Sequence, residues 1–170
     1  MNLAPANISE ASDICDLINS AYRSGIGWTT ESNLVSGNRV SVAQIQEMIA
    51  SQGSVFLVHR QSDKIIACIC VEPSDGTAHI GAFAVAPELQ GSGLGSAVIS
   101  AAEQYAKDHL FAAKYSMLVL NASEPRHELI SYYERRGYLR TGKTMPFPTH
   151  LNVGAPIGIN LLVIELEKNA

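Results

Sequence analysis

At 170 residues, with 46% apolar and 16% charged side chains, the chain can bury a hydrophobic core without disulfides or metals. A single domain over residues 1–170 is expected. A formal charge of −4 speaks against nucleic acid, whose binders carry a basic face, and no apolar run approaches membrane-spanning length. Met1-Asn2-Leu3-Ala4-Pro5 has neither the basic start nor the apolar run of a signal peptide, so a cytoplasmic protein is expected.

In chain order, Asn2 to Ala4 reads as a short first strand. Ser9 is a suitable N-cap for a helix whose buried stripe is Ile14, Leu17, Ile18 and Ala21. The pattern dissolves into Gly, Ser, Thr and Asn from Tyr22 to Arg39. Ser41-Val42-Ala43-Gln44 then forms a capping box for a second helix through Ile45, Met48 and Ile49. Val55 to Arg60 and Ile65 to Glu72 flank Ser62-Asp63 as a hairpin, and Pro73-Ser74-Asp75-Gly76 reads as a turn. A central strand from Ala78 and a helix to about Asp108 follow. Tyr115 to Leu120 is a further strand, and Ser123-Glu124-Pro125 opens a helix that Gly137 ends. Tyr138 to Thr144 is a strand, Met145 to Gly158 a proline-bearing loop, and Ile159 to Glu167 a last strand covered on both faces.

Cys68 and Cys70 stand two apart on a strand and so share a face. This C-x-C spacing is neither a redox pair nor a zinc half-site with a visible second half. With Cys15 they read as small core hydrophobes, and no metal is expected.

The most informative stretch is Ala78 to Ser96. Ile80, Phe83 and Val85 favour a strand, Pro87 stops it, and Gly91, Gly93 and Gly95 open a helix with stripe Leu94, Val98, Ile99 and Ala102. Such a turn gathers unpaired N–H groups at the positive end of a helix dipole, which suits a phosphate. A Walker loop would need lysine before Ser96. A dinucleotide fingerprint would need G-x-G-x-x-G and a later carboxylate near Lys114 and Tyr115. Neither fits, and glycines that merely relieve crowding remain the plain alternative.

Gln90-Gly91-Ser92-Gly93-Leu94-Gly95 matches Q/R-x-x-G-x-G/A, and Tyr132-Tyr133-Glu134-Arg135-Arg136-Gly137-Tyr138 looks like L-Y-E-K-x-G-F. In this order the two motifs resemble the GNAT superfamily of N-acetyltransferases, closely from Ala78 to Thr144 and loosely from Asn2 to Lys168. The resemblance implies an α/β (α+β) fold: a mixed, mostly antiparallel central sheet of about seven strands flanked by helices. It also implies acetyl-CoA as cofactor. By the same resemblance the backbone of Phe83, Ala84 and Val85 would bond the pantetheine arm like an added strand. The amides of Gln90, Gly91, Ser92, Gly93, Leu94, Gly95 and Ser96 would hold the pyrophosphate. Arg126 stands where the superfamily often has a CoA-contacting asparagine, so it would pair with a phosphate while Asn121 takes over part of that role.

Tyr133 aligns with the superfamily's tyrosine and is the candidate general acid for the departing CoA sulfur; packing of Tyr132 or Tyr133 against the sheet is the plain alternative. His79 is the candidate base, since an imidazole can take an ammonium proton near neutral pH. A strand histidine bonded to a neighbour is the competing reading, and Glu72 and Glu31 are further candidates. The resemblance also implies that the segments Gly25 to Arg39 and Met145 to Gly158 wall the acceptor site, where Trp28 and Glu31 could hold a cationic amine; a tryptophan that pins its loop to the core is the plain alternative.

The resulting expectation is an acetyl-CoA-dependent N-acetyltransferase moving an acetyl group to a primary amine in a ternary complex. A non-catalytic acyl-CoA sensor is the alternative. The partner is a small-molecule or peptide amine, with no nucleic acid and no membrane, and the resemblance leaves a homodimer open.

Overall fold

A computed structural model of the chain describes residues 1–28, 30–121, 124–158 and 161–170, without the side chains of 124–126. Nine strands and four helices are described: β1 (Ala4–Pro5), α1 (Ala11–Arg23), β2 (Val35–Ser36), α2 (Val42–Ala50), β3 (Val55–Gln61), β4 (Lys64–Ser74), β5 (Thr77–Val85), α3 (Leu94–Leu110), β6 (Lys114–Asn121), α4 (Glu124–Arg135), β7 (Leu139–Pro146), β8 (Ala155–Pro156) and β9 (Leu162–Asn169).

Seven strands form one sheet in the order β1-β3-β4-β5-β6-β9-β7. Every neighbouring pair is antiparallel except β5 with β6. This is the expected mixed, mostly antiparallel α/β sheet. β4 is apolar without alternation from Ile65 to Val71 because both of its faces are covered. On one face α3 and α4 pack Val98, Ile99, Ala102 and Ile130 against Ile69, Ile80 and Met117. On the other, α1 and α2 pack Ile14, Ile18 and Ile45 against Phe56, Cys68 and Ala84.

Several local expectations are corrected. Ser9 is not the cap: Asn7 caps a short 3-10 turn with Glu10 reciprocating, and α1 begins only at Ala11. The Ser41–Gln44 capping box is present as read. The turn at Pro73 starts later, because β4 continues to Ser74 and only Asp75 and Gly76 take positive φ. The loops Tyr22–Arg39 and Met145–Gly158 contain a small second sheet in which β2 pairs with β8. The last strand is only partly covered on its second face: Leu162 is exposed and Glu165 half-buried, with Val163 packed against Val35 and Leu120. Ile159, where that strand was expected to begin, and the cap Ser123 lie outside the described residues.

Two features of β5 create the site. It pairs with β6 only over Thr77–His79, after which the two strands part. Between the pairs Cys70–Gly81 and Cys68–Ala84, β5 also carries one extra residue, and Ala82 there takes φ +44°. This bulge reverses the alternation. Ala78 and Ile80 face α3 before it, whereas Val85 faces α3 after it. Ala84 then faces α1.

Candidate active site

Where β5 and β6 part, a groove of about 640 Å³ opens, lined by Phe83, Ala84, Val85, Gln90, Gly91, Gly93, Gly95, Ser96, Tyr132, Tyr133 and Trp28 among others. The amide of Ala86 bonds Ile66 across the β4 side. Alternation therefore turns the N–H and C=O groups of Phe83 and Val85 to the edge that β6 has left. Both carbonyls on that edge are already engaged. The Tyr22 hydroxyl donates to the Phe83 oxygen at 2.8 Å, and Gln90 Nε2 donates to the Val85 oxygen at 3.0 Å. An extended ligand lying along this edge would chiefly meet the N–H groups.

The glycine turn is open. Gly93 is the left-handed N-cap of α3 (φ +88°) with no side-chain cap, and no acidic residue occupies the first turn. A Cβ built on Gly91 or Gly93 would meet nothing within 4 Å, so both main-chain surfaces are clear of the protein. No intramolecular hydrogen bond from the N–H groups of Gly91, Ser92, Gly93, Gly95 or Ser96 is found among the described residues. Two amides of the expected cradle are taken: Gln90 N–H bonds Pro87 O, and Leu94 N–H approaches Ser92 Oγ at 3.4 Å. The remaining donors converge at a helix N-terminus and fit a diphosphate.

Gln90 does not extend toward that cradle. Its amide oxygen accepts from the Trp28 main chain at 2.7 Å while its nitrogen holds Val85, so it ties the end of β5 to the loop after α1. Trp28 bridges onward, its indole N–H donating to Glu128 Oε2 at 3.1 Å and its ring meeting Tyr132 edge-on. Gly27 permits this path, since a Cβ there would stand 2.7 Å from the Ala21 carbonyl.

The adjacent tyrosines divide as helical geometry requires. Tyr133 is buried against Tyr138 yet borders the groove. Tyr132 is half-buried, its hydroxyl 3.0 Å from Ser96 Oγ. Nearby, Tyr138 donates to Glu103, which also pairs with Lys168. Burial first, then the Glu103 charge, drives the Tyr138 hydroxyl pKa upward, so that hydroxyl keeps its proton while its ring supports Tyr133.

A second cavity of about 430 Å³ lies on the α1 and α2 side, lined by Tyr22, Arg39, Gln44, Glu47, Met48, Glu72, Ala82, Leu151 and Val153 among others. Tyr22 lines both spaces, and Ala82 of the bulge reaches the second. The sequence reading missed Tyr22, although it continues the buried stripe of α1 one turn beyond Ile18.

Not every expected site residue comes together here. Glu31 is 4% exposed and paired with Arg23, whose other nitrogens bond the carbonyls of Gly37 and Val153. It pins the loops that wall the second cavity and lines neither space. His79 is exposed, bonded to Ser116 Oγ and outside both linings. Its register partner across the ladder is Glu72, which does line the second cavity. Ser92, Leu94 and Asn121 are likewise outside the groove lining, and Asn121 closes the β6–β9 ladder opposite Leu162. The Arg126 side chain lies outside the described residues. No metal-binding group of His, Cys, Asp and Glu is found among the described residues.

Desolvation raises the Cys68 thiol pKa strongly and pushes that of Cys70 up to about 12, with Glu72 adding to the latter. Neither supplies a thiolate near neutral pH.

A splayed strand pair beside an uncapped, glycine-opened helix offers the main-chain donors that could hold an acyl carrier with a diphosphate. The acetyltransferase (GNAT) family model matches residues 13–138, and the chain belongs to that family. It is an acetyl-CoA-dependent N-acetyltransferase. No curated protein matches the chain. Among solved structures it is similar to the PaiA N-acetyltransferase of Thermoplasma acidophilum in complex with coenzyme A (13% identity, TM-score 0.74, covering 99% of this chain and 98% of that one). It is also similar to a ribosomal-protein-alanine N-acetyltransferase from Brucella melitensis (14%, 0.72, all of both chains). A GNAT family acetyltransferase from Elizabethkingia anophelis with acetyl-CoA bound shares 23% identity and a TM-score of 0.63, over 76% and 84% of the two chains. These likenesses concern the fold. No described helix is long and apolar enough to cross a membrane.

Proposed function

We propose that acetyl transfer proceeds directly between two bound substrates, with the donor in the β5–β6 groove and the amine entering from the second cavity. The observation that carries this reading is the shared wall: Tyr22 borders both spaces and donates to the carbonyl of Phe83, which lines the groove. Phe83 and Val85 N–H groups align the donor's arm, and the amides of Gly91, Ser92, Gly93, Gly95 and Ser96 hold its diphosphate. An N–H on this edge also faces the carbonyl oxygen whose charge grows in the transition state.

The ammonium first gives up one proton; the neutral nitrogen then bonds the acetyl carbon as the C–S bond breaks and sheds a second proton, while one proton reaches sulfur. Tyr133, at the groove wall, is the group assigned to protonate sulfur. Glu72 draws the ammonium into the second cavity, and His79, its cross-strand neighbour, relays the proton toward solvent. The buried cysteines with suppressed ionisation argue against an acetyl-enzyme.

Initial rates measured over a grid of acetyl-CoA and amine concentrations test this. Intersecting double-reciprocal lines, with no acetylated enzyme in intact mass spectra, are expected. Parallel lines with an acetylated cysteine would overturn direct transfer. Acetyl-CoA binding with no CoA release across a broad amine panel would leave a sensor instead.

A further inference from the structure

We infer that the acceptor is an amino acid, an amine that also bears a carboxylate, and that Arg39 is the residue that selects it. This rests on the reading of the second cavity as the amine's entrance. That cavity displays both signs of charge. Arg39, half-buried, lies over the Tyr22 ring with its guanidinium carbon 5.7 Å from the ring centroid, and it borders the cavity. Its main-chain N–H is anchored by Asn19 Oδ1 at 2.7 Å, so the base of the side chain is fixed. Among the described residues the guanidinium has no carboxylate partner. The other arginine of this region, Arg23, is by contrast fully engaged.

The carboxylates of Glu47 and Glu72 border the same space and likewise have no cationic partner among the described residues. A polyamine would satisfy the two glutamates and meet repulsion at Arg39. A peptide N-terminus would bring no carboxylate to it. A free amino acid complements both signs, with its carboxylate on the planar donor fork and its ammonium toward Glu72. Ile18, Val40, Met48 and Val153 supply an apolar wall, which suits an aliphatic side chain. Gln44 Nε2, bonded to the Leu151 carbonyl at 2.9 Å, ties α2 to the loop forming the far side.

The test compares amines that differ only in the carboxylate: leucine with isoamylamine, and methionine with its decarboxylated amine, with putrescine as a third arm. CoA thiol release and product mass are the readouts. The wild type is expected to favour each amino acid over its decarboxylated partner in kcat/KM by at least about tenfold, the discrimination of one charge-assisted hydrogen bond. Arg39→Ala should collapse that ratio toward one, and Arg39→Lys should restore part of it, while both variants keep the wild-type CoA affinity as evidence of folding. Equal or better turnover of the decarboxylated amines or of putrescine overturns the assignment and leaves the transferase standing, as does a ratio that Arg39→Ala does not change. No CoA release with any amine overturns both.

Discussion

The Tyr22 hydroxyl donates to the Phe83 carbonyl at 2.8 Å across sixty-one positions of sequence, fastening the end of α1 to the bulged half of β5. The carbonyl it occupies belongs to the edge that β6 abandons, so this bond both satisfies a strand group and steadies the wall between the groove and the second cavity. Tyr22→Phe should cost about 1–3 kcal/mol by orphaning that carbonyl, and should weaken acetyl-CoA binding several-fold. Thermal melting and calorimetry check the two effects. Unchanged affinity would confine Tyr22 to a packing role.

Tyr133→Phe keeps the buried ring and its edge contacts with Tyr132 and Tyr138. Loss of a general acid lowers kcat by about 100-fold or more, while the acetyl-CoA dissociation constant stays within about twofold. The decisive comparison is single-turnover rate against binding. A variant with the wild-type rate removes Tyr133 from proton transfer.

At Gly93 the backbone sits at φ +88°, so Gly93→Ala strains the turn by roughly 1–2 kcal/mol without adding charge. Gly93→Glu adds an anion beside the open amides and should abolish CoA binding at concentrations where the alanine variant still binds. Titration of the two proteins with CoA, followed by the single tryptophan at the groove wall, distinguishes charge from strain.

Glu31 makes a buried pair with Arg23, the two side chains being 5% and 9% exposed. Glu31→Ala leaves a desolvated guanidinium that also holds Gly37 and Val153, and should cost about 3–5 kcal/mol. The replacement of both partners by apolar residues should be milder than either single change, which urea unfolding of the three variants measures.

Cys70, its thiol pKa raised to about 12 against an ordinary 9.0, keeps its proton in the folded state where the unfolded chain loses it. Stability from this group is therefore complete below about pH 8 and declines between pH 9.0 and about 12. The slope is roughly 1.4 kcal/mol per pH unit for each such thiol. Cys68, shifted in the same direction, adds to it. Urea midpoints at a series of alkaline pH values should fall faster in the wild type than in a Cys70→Ala variant.

Much of this was legible along the chain because it depends on local chemistry. Alternating glycines after a proline-stopped strand point to a turn that opens a helix, and the Ser41–Gln44 box caps its helix with groups three residues apart. Family membership, the sheet and the glycine turn follow from such runs. Long-range pairing was not legible. Gln90 looked like a phosphate contact because nothing in its neighbourhood shows that Trp28 and Val85 claim its amide. Glu31 looked like an amine ligand because its partner Arg23 belongs to a different segment.

What the sequence by itself determined is the family and its class of chemistry, through a turn that presents main-chain donors and a matching helix end. Only the tertiary structure decided where the second cavity lies and which charges face it. A residue's short-range conformation is set by its own sterics and neighbours. Whether Arg39 is spent on a carboxylate or left open, as Arg23 is not, depends on which distant strands and loops the fold brings within a few ångströms.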